Sequence, residues 1–326
     1  MSDAASYRHD PMEDCWRIVA PSRAEVPPDT VAKGPLLPAP EGRCPFCPGH
    51  ESDAEEIVAQ FPTAADWQVR AVTNRFPAVS GEVVPPDTVG GHARPATGVH
   101  EIIVEGREHE GDLPDFTPAL RTLVLQAYRD RLRAVEATDG IRHVAMFRNR
   151  GRRAGSSQPH PHGQLVGTTV GGRLHERRWT LARAHARREG RSLLDTVLAR
   201  ELDADERIVE SSEDFVVFCP FAPQVDYQTW IVPRLERGSF SALDDASVER
   251  FGEVLAKTLK RVIEVSGRKA YNVLWRLPPV RSHADPASFW YVDILPRGGG
   301  LAGVELSTGF SMVSVAPERA AEQLRG

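Results

Sequence analysis

Residues Asn149 to Gln164 read NRGRRAGSSQPHPHGQ, and this run constrains the chain more than any other. Two histidines, His160 and His162, stand on either side of one proline, and Gln164 follows. On an extended strand successive side chains alternate faces, so positions 160, 162 and 164 project to one side. Two imidazoles and an amide are thereby delivered to one patch. A histidine can serve as a metal ligand, a general base or a nucleophile. The preceding turn holds Gly151, Gly155, Ser156 and Ser157, a flexible backbone with hydroxyls suited to phosphate oxygens. An isolated H-x-H is ordinarily a satisfied surface or core pair; the turn before it and the glutamine after it give this one a chemical reading.

The chain of 326 residues has room for two domains, or for one large domain with an internal duplication. Its 41% apolar and 26% charged residues are those of a soluble globular protein. A net charge of −5 gives no general footprint for nucleic acid, and none is expected as a partner. The basic run from Arg177 to Arg191 is interspersed with acidic residues and reads as a solvated helix face. The polar N-terminal stretch lacks the apolar core of a signal peptide. No apolar run reaches the roughly 20 residues that span a bilayer, so no membrane partner is expected and the placement is cytoplasmic. Four cysteines in a chain of this length do not make a disulfide framework.

Patterning gives an alternation of strands and helices. Residues 16–21 (WRIVAP) and 100–106 (HEIIVEG) read as strands. Thr117 and Pro118 open a helix, the first as N-cap and the second in the first turn. Leu120, Leu123, Val124, Ala127, Tyr128 and Leu132 hold its period, and Gly140 stops it. Residues 143–149 form the strand that leads into the Gly/Ser turn, and 173–200 read as one helix. The second half repeats the order: strands at 215–221 and 228–234, a helix at about 244–265, strands at 271–277 and 289–297. The class is α+β. The division falls into an N-terminal half, 1–200, and a C-terminal half, 201–326.

Cys44 and Cys47 form a C-x-x-C in the loop sequence EGRCPFCPGHE. By itself such a pair is a redox couple, half a metal site, or neither. The redox reading expects a βαβ setting, which this loop lacks. Zinc prefers four ligands, so a knuckle here needs two more.

Taken together, Asn-x-Gly, Gly-x-Ser and His-Pro-His-x-Gln resemble the active-site signature of the galactose-1-phosphate uridylyltransferases, a branch of the histidine-triad superfamily. The resemblance runs in order along nearly the whole chain and is most specific over 149–164. It implies two histidine-triad-like halves that share an antiparallel sheet with packed helices, and a homodimer. It implies that His109, in the segment HEGDLP, and His160 complete the knuckle with Cys44 and Cys47. Such a Cys₂His₂ set fills the tetrahedron, so the metal, zinc or iron, is structural. His50 and His100 are the nearest competitors as ligands and read as ordinary polar residues.

The resemblance further implies a reaction. His162 attacks the α-phosphorus of a nucleotide sugar, a sugar 1-phosphate leaves, and a second sugar 1-phosphate takes the nucleotide from the histidine. Gln164 would donate to an α-phosphoryl oxygen. Gly151, Gly155, Ser156 and Ser157 would hold phosphates, and Asn149 would contact phosphate or ribose. Asn74, in VTNRFPAV, matches a base- or ribose-binding asparagine. Arg23, in APSRAEVP, matches an arginine near the sugar phosphate. Glu305 keeps the acidic residue expected at the sugar hydroxyls.

Departures cluster at the two ends of the substrate. Arg75 follows the base-contacting asparagine where the family has Asp, and Val26 replaces a second arginine. Gly299 and Val304 stand where Lys and Tyr are expected. Arg276, Tyr291 and Asp293 occupy the positions of a second metal site, so none is expected. The leading expectation is UMP transfer between UDP-glucose and a hexose 1-phosphate. The alternatives are an ADP-sugar phosphorylase or adenylyltransferase, a transferase for an unusual sugar 1-phosphate, a hydrolase of nucleotide conjugates, and a zinc-dependent nucleotide-binding module.

Overall fold

The computed structural model describes residues 5–21, 44–50, 56–81, 95–234, 238–300 and 302–326. A hairpin of β1 (Ser6–Asp10) and β2 (Cys15–Val19) comes first. The first half continues with β3 (Ile57–Phe61), β4 (Val69–Thr73), β5 (Gly98–Val104), α1 (Pro118–Ala137), β6 (His143–Arg150) and β7 (His162–Thr168). Two helices, α2 (Arg173–Glu189) and α3 (Leu193–Ala204), lead to the second half. There β8 (Ile208–Ser211), β9 (Phe215–Phe218), β10 (Thr229–Pro233), α4 (Asp245–Ser266), β11 (Tyr271–Arg276) and β12 (Tyr291–Pro296) follow the same order. The chain closes with α5 (Gly303–Thr308), β13 (Met312–Val313), which pairs in parallel with β2, and α6 (Pro317–Arg325).

Among the described residues the main sheet has ten strands, all antiparallel, in the order β3-β4-β5-β7-β6-β11-β12-β10-β9-β8. Counted inward from each edge, both halves place their fifth strand next to their third and their fourth at the centre. The halves meet where β6 pairs with β11. The repeat seen coarsely in the sequence is therefore one β-β-β-α-β-β unit used twice. Residue 200 lies inside α3, and the two sets of five strands change over between Thr168 and Ile208.

Local chemistry explains the helix ends. Thr117 Oγ1 accepts from the Leu120 N–H at 3.3 Å, and Asp244 Oδ1 accepts from that of Ser247 at 2.7 Å. The single helix expected over 173–200 is two helices. Gly190 adopts φ of 69°, a left-handed conformation that ends α2, and Ser192 Oγ accepts from the Asp195 N–H at 3.1 Å to start α3. The strands β3, β4 and β8 carried no periodicity strong enough to be read in advance.

Each face of the sheet has its own cover. Helices α1, α4 and α6 bury one face around Val124, Tyr128, Phe251, Leu255 and Leu324. On the other face, α2 and α3 cover Val216, Phe218, Trp230 and Tyr291 at the second-half end. The knuckle residues Cys44 and Phe46 cover Val72, Ile102 and Val104 at the other end. Between these two covers β7, β6 and β11 are half exposed through Gln164, Phe147, Asn149, Asn272 and Leu274. Among the described residues nothing covers this strip, which lies on the face that carries His162.

Candidate active site and metal centre

Register places the polar residues of the strip on one face. Val104 pairs with His162, Ile102 with Gln164, and Phe147 with Gln164 from the other side. Asn272 pairs with Asn149 across the junction of the halves. Side chains on paired residues share a face, so His162, Gln164, Asn149 and Asn272 belong to one surface.

Cys44, Cys47, His109 and His160 come together, with one ligand atom from each all within 4.8 Å of one another. His160 Nδ1 lies 3.8 Å from Cys44 Sγ and 3.6 Å from Cys47 Sγ, and His109 Nδ1 lies 3.3 Å from Cys47 Sγ. A tetrahedron with zinc–sulfur and zinc–nitrogen bonds of about 2.3 and 2.0–2.1 Å sets its sulfur and nitrogen ligands about 3.6 Å apart. The observed spacings fit that figure. The Nε2–H of His160 donates to the Gly106 carbonyl at 2.9 Å, which leaves Nδ1 with its lone pair toward the sulfurs. Burial holds His160 down at about 4, and burial followed by the neighbouring Cys44 pushes the Cys47 thiol up to about 11. A bound cation would favour the thiolate of Cys47, which burial and its neighbour otherwise disfavour. Neither His50 nor His100 belongs to this group.

His162 sits two residues beyond His160 and is 6% exposed. Its Nδ1 lies 2.8 Å from the His160 carbonyl, which can only accept, so Nδ1 carries the hydrogen. The lone pair of the neutral ring is then on Nε2, which makes no hydrogen bond among the described residues. Burial lowers the pKa of His162 and favours this neutral form. Phe46 packs against the ring with centroids 5.3 Å apart.

The strand beneath His162 is held from behind. Glu105 donates its backbone N–H to the Pro161 carbonyl at 3.0 Å. Its carboxylate accepts from Tyr128 Oη at 2.8 Å and from Arg148 Nε at 2.8 and 2.9 Å. Arg148 also donates to Tyr271 Oη at 2.8 Å, and Tyr271 Oη donates to Asp112 Oδ1 at 2.7 Å. Every member of this network is buried, and its charges are paired. Tyr128 reaches Glu105 only because position 163 is glycine: a Cβ there would lie 1.4 Å from its hydroxyl.

The amides are held as well. Gln164 Oε1 lies 2.9 Å from His100 Nε2, and Asn74 Nδ2 lies 3.0 Å from the same ring nitrogen. Asn149 Oδ1 accepts from Asn272 Nδ2 at 2.7 Å, and the same nitrogen donates to the Ala154 carbonyl at 2.8 Å. Gly151 and Gly155 have φ of 81° and 89°, conformations that suit glycine. Ser156 is buried and its Oγ donates to the Gln158 carbonyl at 2.7 Å, so its hydroxyl serves the turn, whereas Ser157 is exposed.

The remaining expected residues lie apart. Glu305 Oε2 accepts from the Ala302 N–H at 3.0 Å and caps α5, and no hydrogen bond among the described residues ties it to β7. Arg23 and Val26 lie outside the described residues. Arg276 donates to Asp293 at 2.6 Å, and Gln228 Nε2 donates to the same carboxylate at 2.7 Å. Sequence reasoning missed Asn272, Gly163 and the role of His100. The signal for Asn272 was its place in a strand equivalent by repeat to the one that carries Asn149.

A duplicated antiparallel unit, with a Cys₂His₂ cluster beside a histidine strand, is that of the histidine-triad-like nucleotidyltransferases. The chain belongs to the galactose-1-phosphate uridyl transferase family, whose N-terminal domain matches residues 1–170. It is 27% identical to the ADP-glucose phosphorylase of Arabidopsis thaliana, over 99% of this chain and 93% of that protein. It is 27% identical to the galactose-1-phosphate uridylyltransferase of Streptomyces lividans, over 81% of this chain and 72% of that one. The crystal structure of the Arabidopsis thaliana ADP-glucose phosphorylase with bound ADP-glucose superposes with a TM-score of 0.84 at 25% identity, covering 99% of this chain and 98% of that one.

Proposed function

We propose that this chain transfers a nucleoside monophosphate from a nucleotide sugar to an acceptor phosphate through a covalent nucleotidyl-His162. The hydrogen bond from His162 Nδ1 to the His160 carbonyl carries the reading. It puts the lone pair on Nε2, and it can stabilise the positive charge that the ring gains when Nε2 bonds to phosphorus. In the first step the Nε2–phosphorus bond forms and the bond from the α-phosphorus to the bridging oxygen breaks. The sugar 1-phosphate leaves with that electron pair. In the second step an acceptor phosphate oxygen bonds to phosphorus and the imidazole leaves. Gln164 and Asn149 donate to the phosphoryl oxygens, and the turn from Gly151 to Ser157 receives the phosphates. Asn74 and Arg23 serve the nucleoside and sugar-phosphate ends, and Glu305 the sugar. Residues 1–200 carry the transfer centre and 201–326 complete the sugar end.

Cys44, Cys47, His109 and His160 would hold a zinc ion, which would supply a structural clamp and no catalytic group. The protein's own contribution is the fixed carbonyl of His160 and the neutral, buried ring of His162.

The similarity over 99% of the chain to an ADP-glucose phosphorylase favours an ADP-sugar donor and inorganic phosphate as acceptor. The altered sugar end, with Gly299 and Val304, supports the same choice. The uridylyl reading stands second, on the likeness to uridylyltransferases. Intact-protein mass after brief incubation with ADP-glucose or UDP-glucose, without acceptor, separates them. We expect an AMP adduct that is absent in His162→Ala and is discharged by inorganic phosphate. A UMP adduct alone selects the second reading. Turnover without any adduct, or an adduct that persists in His162→Ala, refutes the mechanism.

A further inference from the structure

We infer that His100 is a positioning residue for Gln164: its Nε2–H holds the amide oxygen, so that the amide NH₂ is the end left for a phosphoryl oxygen. The inference rests on the covalent-transfer reading above and adds a residue to it.

The tautomer follows from the neighbours of the ring. The backbone N–H of Ala78 lies 3.0 Å from His100 Nδ1 and can only donate. Nδ1 is therefore the acceptor, and Nε2 of the neutral ring carries the hydrogen. Two side-chain atoms approach Nε2. Asn74 Nδ2, at 3.0 Å, is itself a donor, while its own Oδ1 accepts from the Phe76 N–H at 2.8 Å. Gln164 Oε1, at 2.9 Å, is the acceptor that remains. The Gln164 amide is thus fixed by its oxygen. Its nitrogen has no partner among the described residues, and it lies on the strand face of His162, two residues away.

An amide left to rotate presents its oxygen to a phosphoryl group as readily as its nitrogen, and an oxygen repels the charge that develops there. A donor already aimed needs no reorganisation during the reaction. His100 reaches Gln164 from β5, where it pairs with Val166, so the contact is the diagonal one that an antiparallel pair permits.

Two substitutions separate the ends of the ring. His100→Gln places an amide N–H at the same bond distance along the side chain as Nε2 and gives up the acceptor for Ala78. His100→Asn keeps an acceptor near Nδ1 and gives up the donor to Gln164. The assay is the single-turnover rate of nucleotidyl-His162 formation at saturating ADP-glucose, with UDP-glucose in parallel, alongside donor affinity measured in the His162→Ala background. We expect His100→Asn to slow adduct formation by about 10²-fold, as loss of one aimed donor does, with donor affinity changed less than about threefold. His100→Gln should stay within about fivefold of the natural protein. In a Gln164→Ala background His100→Asn should cost nothing further.

The reverse order, with His100→Gln slow and His100→Asn fast, would make His100 an anchor for the Ala78 loop and overturn the inference. Equal rates for both variants, or independent losses in the double variant, would overturn it too. If the natural protein forms no adduct, the transfer reading fails, and the positioning is still decided by the Gln164 side-chain amide resonances. These should move in His100→Asn and hold in His100→Gln; no difference between the two refutes the contact.

Discussion

The ring of His162 is joined to His160 twice, through Pro161 in the chain and through the hydrogen bond from Nδ1 to the His160 carbonyl at 2.8 Å. A member of the Cys₂His₂ cluster thereby sets the tautomer of the proposed nucleophile. Burial is the largest cause of the lowered pKa of His162, and it acts by penalising the charged ring. In the proposed mechanism the neutral ring is the nucleophile, so acid should inhibit only once the ring is forced to protonate. We expect the rate of adduct formation to keep its plateau below the free-imidazole value of about 6.5 and to fall at lower pH. A single-turnover pH profile checks this. A midpoint at or above that value would mean that His162 is not buried as neutral imidazole when it reacts.

The metal cluster should matter through the same link. Cys44→Ser removes one of the four proposed ligands from a set whose sulfur and nitrogen atoms already sit at tetrahedral spacing. We expect the purified variant to lose most of its one equivalent of zinc by elemental analysis. Structural zinc contributes on the order of 10 kcal/mol in isolated knuckles, so even a modest share should lower the thermal midpoint by several degrees. Adduct formation should slow as the His160 carbonyl loses its anchor. Full metal content in Cys44→Ser would refute the ligand set.

Asn272 ties the second half of the chain to the turn before the histidines. Its amide nitrogen is shared between Asn149 Oδ1 and the Ala154 carbonyl. Asn272→Ala withdraws both bonds, at about 1 kcal/mol each. If the turn receives phosphates, donor affinity or the transfer rate should fall by roughly 10- to 30-fold, with little change in zinc content. Isothermal titration with the donor, together with single-turnover rates, measures both. Unchanged values would remove the turn from the substrate site.

The site was legible in the sequence wherever it was local. The alternation of His162 and Gln164 needs only a strand, whereas His160, expected on the same strand, falls just before β7 begins at His162; the C-x-x-C needs only its own spacing. The cap at Thr117 and the period of α1 were legible for the same reason. What could not be read depends on pairing between distant strands. Nothing near Asn272 in sequence announces that β11 lies against β6, and nothing near His100 announces a diagonal contact across β5 and β7. The break between α2 and α3 was readable in Gly190 and Ser192, yet the surrounding helical period masked it. The short strands β3, β4 and β8 draw their stability from neighbours in the sheet more than from their own patterns.

Gly163 shows how closely the helix layer and β7 are fitted. An added Cβ would stand 1.4 Å from Tyr128 Oη and 2.4 Å from its Cζ. The tyrosine has nowhere to retreat. It is fully buried, its hydroxyl donates to Glu105 at 2.8 Å, and its ring stacks on Trp275 with centroids 5.1 Å apart. Gly163→Ala must therefore shift β7 itself, and His162 and Gln164 move with it. We expect a loss of about 3 kcal/mol, the upper end for overpacking, and a thermal midpoint about 5 °C lower. Adduct formation should fall by more than 10²-fold, because small misplacements of a reacting group are costly. Tyr128→Phe should not rescue the variant, since the ring carbon alone is too close. Adding Tyr128→Leu should restore part of the stability, a coupling that calorimetry on the double-mutant cycle resolves. Strict additivity of the two changes would show that the strand and the helix do not meet at this point.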